Sequence, residues 1–585
     1  MPVLNMISKK RSFLPSEFSI KEWSDLEPYY DDLKNRSLMS LNDLKKWLKN
    51  RSELESIVAE DLAWRYIKMT CDTANQKHAE SYKSFISNIQ PEIAPYSNQL
   101  DKKLFNCPFK TQLLAGDYSS LQYKILIREI EKNIQIFRKK NIPLLTNIRK
   151  EKQQYAAITG AMSVKIVGKE YTLQQAGDFL QDNDRTIREN VFLKINDRRS
   201  KDRDKLDKLF NVLIKLRHQV AVNAGFKNFR DYTFVSLGRF DYTPEDCYAF
   251  HDSVAEVIVP VLNELAHDRK NKMHVEKLRP WDLQVDKDGS PPLKPFNNTD
   301  ELIEKTKQCF YRLDPFLGDC LVTMKEMGHL DMESRKGKAP GGYNYPLDEI
   351  GVPFIFMNAT STLSDLVTIV HEGGHAVHSF LTKDLELVAF KHTPSEVAEL
   401  ASMSMELISM EHWDLFFDNA CPERSEGTDL LRAKRKHLEQ IIETLPWVAT
   451  IDKFQHWIYQ NPDHKVDERV KKWNEIFDRF SSGVLDWQGL EHYKNYIWQK
   501  QLHLYEVPFY YIEYGIAQLG ALAVWKNFKE NSKKGLEKYL SALRLGYTMP
   551  IRDIYETAGI KFDFSKEYIR ELIGFVKEEL GKLRF

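Results

Sequence analysis

His371 and His375 stand four residues apart with a glutamate between them, in the run His371-Glu372-Gly373-Gly374-His375. On a helix, side chains at i and i+4 share a face, so both imidazoles can reach one ion. A glutamate beside the first histidine lies near that ion and can take a proton from an attacking water. With 16 histidines in 585 residues, H-E-x-x-H arises by chance about 0.03 times per chain. The spacing therefore points to hydrolysis at one zinc ion held by His371 and His375, with Glu372 as general base. Two core histidines on a buried helix would produce the same spacing only by coincidence.

A catalytic zinc needs a third protein ligand and an open position. Glu396, Glu399 and Glu406 lie near one helical face of Ser395 to Met410, at offsets of three and seven. Spacing alone does not rank them. His378 is a rival, three residues after His375. It would share the ion from the same turn, so it reads better as a donor that orients a ligand, or as a packed histidine.

These groups need a helix to carry them, and one is signalled. Thr362 is a good N-cap, and Asp365 at the third helical position completes a capping-box pattern. Leu363, Leu366, Ile369, Val370, Val377, Phe380 and Leu381 follow at helical spacing. Gly373 and Gly374 should each cost about 1 kcal/mol against Ala in a helix interior. A cost of that kind suggests that another backbone, or the substrate, approaches closely.

Upstream, Val352 to Asn358 reads as a strand, and Pro353 points to an edge position. An edge strand beside the histidine helix can pair with an extended peptide, which makes Met357 and Asn358 candidate substrate contacts. Downstream, His503, Tyr510, Tyr511 and Tyr514 supply N–H and O–H donors that can stabilise a developing oxyanion. On a helix Tyr511 and Tyr514 share a face, while Tyr510 points about 100° away from Tyr511. Read from residues alone, an aromatic stripe is more often core.

Most of the remaining chain reads as helix. Tyr123, Ile127, Ile130, Ile134 and Phe137 recur at four- and three-residue spacing within Leu121 to Lys140. Similar patterns run over Leu206 to Val222, Ala249 to Leu265, Leu302 to Leu313 and Leu430 to Leu445. Met162 to Tyr171 alternates around Gly168 and reads as a short hairpin. Cys421 to Thr428 reads as an exposed polar loop. A chain of 585 residues exceeds one ordinary core. We expect an N-terminal helical lobe over residues 1–200 and a catalytic domain over 201–585, divided within the charged run Asn196 to Lys208.

Lys+Arg and Asp+Glu both number 84, so nothing in the charge balance points to nucleic acid or an anionic membrane. Six scattered cysteines form no C-x-x-C pair, which argues against a disulfide framework or a thiolate zinc motif. No apolar run approaches the ~20 residues needed to cross a bilayer. Met1 to Phe18 has no apolar core of a secretory signal. The expectation is a cytoplasmic protein.

Several separate segments resemble the thimet oligopeptidase and oligoendopeptidase F family, most nearly its oligoendopeptidase F branch. They are Met357-Asn358 through Leu363-Ser364-Asp365 into His371–His375, then Glu399-Leu400-Ala401-Ser402 with Glu406. Trp498, His503 and Phe509 to Tyr514 follow, then Leu545 to Pro550 with Ala558-Gly559. Arg279 to Leu283 is similar to a further family segment. The likeness covers roughly residues 115 to 580. It departs at Gly373, where the family carries a bulky apolar residue.

The resemblance implies that Glu399, within E-x-x-S, is the third ligand and that Glu406 orients a ligand. It implies that His503 and a tyrosine pair at three-residue offset, Tyr511 and Tyr514 with Tyr510 as alternate, serve the transition state. It implies a mainly α, two-lobed zincin-type fold with a deep channel and a small β element beside the active-site helix. The function it implies is endoproteolysis of short peptides. A zinc carboxypeptidase on a related scaffold and an inactive zinc-bound peptide binder are the competing readings.

Overall fold

The computed structural model describes residues 11–115, 120–417 and 428–583. Each helical pattern forms a helix. Leu121–Ile136 stops short of Lys140 because Phe137 turns extended. Arg203–Ala224 and Thr299–Leu313 contain two of the other patterns. Five helices carry the site: α1 (Pro244–Lys272), α2 (Leu363–Thr382), α3 (Ser395–Ser409), α4 (Thr428–Gln460) and α5 (Tyr511–Glu530). The pattern that reads as ending at Leu445 continues in α4 through Pro446. Residues on both sides of that proline are buried, so tertiary packing offsets the lost backbone bond. Of the expected polar loop, all but Thr428 lies outside the described residues.

Among the described residues there are five short strands: β1 (Ser163–Ile166), β2 (Lys169–Thr172), β3 (Leu330–Glu333), β4 (Tyr343–Tyr345) and β5 (Phe354–Ala359). The first two form the expected hairpin, turning at Gly168 with φ +78°. The others form a sheet in the order β3-β5-β4. The edge position expected for Val352–Asn358 is therefore incorrect, because β5 is central. It pairs parallel to β3 and antiparallel to β4, with Asn344 opposite Ile355. Pro353 sits one residue ahead of the first paired position, so its missing N–H removes no ladder bond. The edge next to α2 is β4, whose three residues after Gly341-Gly342 are too few to show a period.

One core draws on residues from Leu14 to Ile130, with Leu387 and Phe390. A larger one begins at Ile148 and includes the apolar face of α2, with Leu366, Ile369, Val370 and Val377 all at most 1% exposed. Among the described residues, no helix is long and apolar enough to cross a membrane.

The capping box forms as read: Asp365 N–H donates to Thr362 Oγ1, and Asp365 Oδ2 accepts from the Thr362 N–H at 2.9 Å. Both mid-helix glycines face neighbours. A Cβ at Gly373 would lie 2.7 Å from Phe310 Cζ, so the phenyl ring takes the volume of the missing side chain. A Cβ at Gly374 would lie 2.7 Å from both Ala401 O and Ser402 Cα, so α3 crosses α2 backbone against backbone there. Gly374→Ala is expected to destabilise the fold by roughly 1–3 kcal/mol, against the helix-propensity gain, because backbone cannot yield as a side chain can. An unchanged urea midpoint for Gly374→Ala contradicts that close approach.

Candidate active site

The close crossing of α2 and α3 brings His371, His375 and Glu399 together. One ligand atom from each lies within 4.8 Å of the others. Glu399 Oε2 is 3.4 Å from His371 Nε2 and 3.8 Å from His375 Nε2. Glu396, three residues earlier, points elsewhere, because its Oε1 accepts a hydrogen bond from Tyr242. Tyr555 caps the Glu396 carbonyl at 3.0 Å. Geometry thus ranks the three glutamates that spacing leaves level.

Glu406 lies 2.6 Å from His371 Nδ1. A carboxylate there fixes a proton on Nδ1, so Nε2, on the Glu399 side, is the nitrogen available to a metal ion. His437 stands behind it, with Nε2 3.4 Å from Glu406 Oε2. His375 has the backbone of Ala398 as its hydrogen-bond partner. Ser402 donates to Glu399 Oε2 at 3.2 Å, and Tyr510 donates to Glu399 Oε1 at 2.7 Å. His378 bonds none of the three. Its partner is the backbone of Leu543, so in this structure it is a packed histidine and not an orienting donor.

Two imidazoles and a carboxylate, partly open to a cavity of about 390 Å³, match the donor set of a catalytic zinc with a free position. The charges fit a cation. Burial opposes ionisation of Glu399, yet hydrogen bonding with His371 and the nearby histidines hold it down at about 2. Burial likewise disfavours a charged His371, but Glu399 and Glu406 pull it well above its ordinary value. Burial leaves His375 at about 4. Glu406→Gln keeps the size and removes the anionic acceptor. It is expected to weaken metal affinity by roughly 10–100-fold, read by competition against a chromophoric chelator. Wild-type affinity in that variant removes Glu406 from the site.

Glu372 is 8% exposed. Burial raises its carboxyl to about 7, against the pull of His371. Its carbonyl accepts from the Asn344 side chain at 3.2 Å, tying the edge strand β4 to the helix turn that carries Glu372. Met357 and Asn358 are committed elsewhere. Met357 is buried with its carbonyl held by Lys338 at 2.6 Å, and the Asn358 amide donates to Ala339 and Gly341 carbonyls, both at 2.9 Å.

The downstream donors sit at the start of α5. That helix begins at Tyr511, and Tyr510 caps it with helical backbone angles, φ −66° and ψ −32°, so Tyr510 and Tyr514 lie one turn apart with ring centroids 5.3 Å from each other. Phe509, with φ +67°, makes a left-handed turn that is held on both sides. Its N–H donates to Gln455 Oε1 at 2.6 Å, and its carbonyl accepts from Arg239, which also bonds Glu513 at 2.9 Å. That turn swings Tyr510 onto Glu399. Tyr511 instead places its hydroxyl at Trp447 and Gln501. Tyr514 lies 3.5 Å from His503 Nε2.

Sequence reasoning missed Gln501, which fixes His503. The Trp447 indole N–H donates to Gln501 Oε1 at 3.0 Å, so the amide nitrogen must face His503 Nδ1, 2.7 Å away. His503 therefore carries its proton on Nε2, toward Tyr514. Burial lowers this histidine to about 4, so it is neutral near pH 7. The Trp498 ring, by contrast, is wholly buried against Phe210 and Phe454.

Fold and site together define the class: a mainly α metallopeptidase whose candidate site lies where α2 crosses α3. The chain belongs to peptidase family M3. The profile of peptidase family M3 matches residues 179–573, and that of the peptidase M3 N-terminal domain matches residues 13–137. The chain is 21% identical over 597 residues to an oligoendopeptidase F homolog of Borreliella burgdorferi, across 98% of this chain and 96% of that protein. Its fold is similar to PZ peptidase A solved with an inhibitor, at TM-score 0.89 and 26% identity, covering 97% and 99% of the two chains. It is also similar to a solved oligoendopeptidase F, at TM-score 0.88 and 26% identity, covering 97% and 98%. The protein is a metalloendopeptidase.

Proposed function

We propose that this protein is a zinc-dependent oligopeptidase that hydrolyses internal bonds of short peptides, with His371, His375 and Glu399 as metal ligands and Glu372 as general base. The observation that carries the reading is the convergence of those three ligand atoms within 4.8 Å, beside a buried carboxylate. Zinc, when bound, supplies Lewis acidity toward the scissile carbonyl and the attacking water. Glu372 takes the proton of that water and passes it to the leaving amine. Tyr510 and Glu406 hold Glu399 and His371 in place. Tyr514, polarised by the His503 Nε2–H, donates to the negative charge that develops on the carbonyl oxygen. The edge strand β4 offers free backbone groups beside the base, and an extended peptide can add there. Met357 and Asn358 then support that strand's sheet and do not touch substrate.

The relatives carry the words oligoendopeptidase and oligopeptidase in their names, which supports short peptides as the substrate class. The cavity of about 390 Å³ beside His375, Glu399 and Tyr510 suits a stretch of extended chain and not a folded domain. The change of core between Ile130 and Ile148 supports a lobe boundary in that stretch, ahead of residue 200. The test is mass spectrometry of products from a mixed peptide library alongside a folded protein. Peptides of about 5–20 residues should be cut internally while the folded protein survives, as expected of a sequestered site. Chelation should abolish cleavage and zinc should restore it. Rapid cutting of the native folded protein, or turnover indifferent to chelator, overturns the reading.

A further inference from the structure

A second set of metal-ligating groups meets where α1 packs against α4. Cys247 and His251 stand one turn apart on α1, and Asp452 and His456 stand one turn apart on α4. All four are at most 2% exposed. One ligand atom each from Cys247, Asp452 and His456 lie within 4.8 Å of one another, the same limit met by His371, His375 and Glu399. His251 Nε2 is 2.9 Å from Asp452 Oδ2, and His456 Nε2 is 3.3 Å from the same oxygen.

The hydrogen bonding there is incomplete. Asp452 Oδ1 and His456 Nδ1 are buried without a hydrogen-bond partner, and His456 Nε2 makes only its 3.3 Å contact with Asp452 Oδ2, poorly aligned for a hydrogen bond. Interior polar atoms are rarely left so, because each has given up water for nothing. The His251–Asp452 contact accounts for one carboxylate oxygen only. The remaining groups form a thiol, an imidazole and a carboxylate oxygen converging on one point. That mixture of sulfur, nitrogen and oxygen suits zinc and its neighbours in the first transition row, and does not suit magnesium or calcium. Donors at the corners of a triangle with 4.8 Å sides would each need to move inward by only ~0.5 Å to reach zinc bonding distances.

We propose that Cys247, Asp452 and His456 hold a second, structural zinc-class ion, with His251 orienting Asp452 through Oδ2. The ion pins α1 to α4 directly behind the turn that aims Tyr510. Gln455, between Asp452 and His456, accepts the Phe509 N–H, and the His456 ring lies 5.3 Å from the Phe509 ring. The second ion thus braces the left-handed turn from the side away from substrate.

The two sites differ in sulfur, and cobalt(II) reads that difference. Full-length protein loaded with cobalt should bind two equivalents by elemental analysis and show a sulfur-to-cobalt charge-transfer band in the near ultraviolet. His371→Ala should bind one equivalent and keep the band. Cys247→Ser should lose the band and one equivalent. If Cys247→Ser fails to fold, wild type and His371→Ala still decide. A wild-type protein without the band overturns the proposal, as does a band that persists in Cys247→Ser. Loss of all cobalt from His371→Ala also overturns it. His371→Ala retaining two equivalents would instead count against the catalytic ligand set, so the two failures are distinguishable.

Discussion

Replacing Glu372 by Gln is expected to lower kcat by roughly 10²–10⁴-fold while metal content stays at the wild-type level. Gln keeps the volume and the polar contact surface of Glu372 but cannot accept a proton. The proposed ligands His371, His375 and Glu399 are untouched, so a bound metal would have no reason to leave. The environment of Glu372 supports the role. Burial raises its proton affinity, with His371 the main opposing influence. A cation in the adjacent site would bring it back down. The balance of the two sets a carboxylate that is ionised when substrate arrives and basic enough to take a proton in the transition state. Asn344 fixes the backbone of the same turn, so the substitution should not shift the helix. Steady-state kinetics with elemental analysis on the same sample check this. Near-normal turnover, or loss of metal with turnover, contradicts the assignment.

The parts of the site that lie within one helix were legible in the sequence because a helix converts spacing into direction. His371, Glu372 and His375 needed only i and i+4, and Thr362 with Asp365 announced the start of that helix. The glutamates of α3 lie in a second helix whose rotation against α2 no local pattern encodes. Their proposed sorting into ligand, orienting group and remote partner rests on the contacts of Tyr242 with Glu396 and of His371 with Glu406, which are far apart in sequence. The strand order failed for the same reason. Pro353 was read as an edge signal, but a proline one residue outside the ladder costs nothing, and β4 is too short to register. Gly374 was read correctly as a close approach because its cost in a helix is local, although the partner, the backbone of Ala401 and Ser402, was not visible.

The tyrosine hydroxyls set the second large effect. Tyr510, Tyr511 and Tyr514 follow helical spacing, but a helical wheel does not say which distant partners each face meets, and the three hydroxyls end in three different places. Tyr511 meets Trp447 and Gln501, Tyr510 meets Glu399, and Tyr514 meets His503. Because Gln501 occupies His503 Nδ1, the Nε2 proton points to the Tyr514 oxygen. The Tyr514 hydroxyl hydrogen is then free to donate to a third atom. A neutral donor polarised by a neighbouring N–H, in a buried site, is suited to an oxyanion that exists only in the transition state. Tyr514→Phe is therefore expected to lower kcat by roughly 10²–10³-fold with little change in KM and no change in metal content. Tyr510→Phe should act differently, by loosening a metal ligand, so its loss of turnover should be partly recovered at high zinc. Tyr511→Phe should stay near wild type in kcat, since its hydroxyl is directed to Trp447 and Gln501. If Tyr511→Phe carries the large kcat loss while Tyr514→Phe does not, the donor is Tyr511 and the hydrogen-bond chain through Gln501 is not the one used in catalysis.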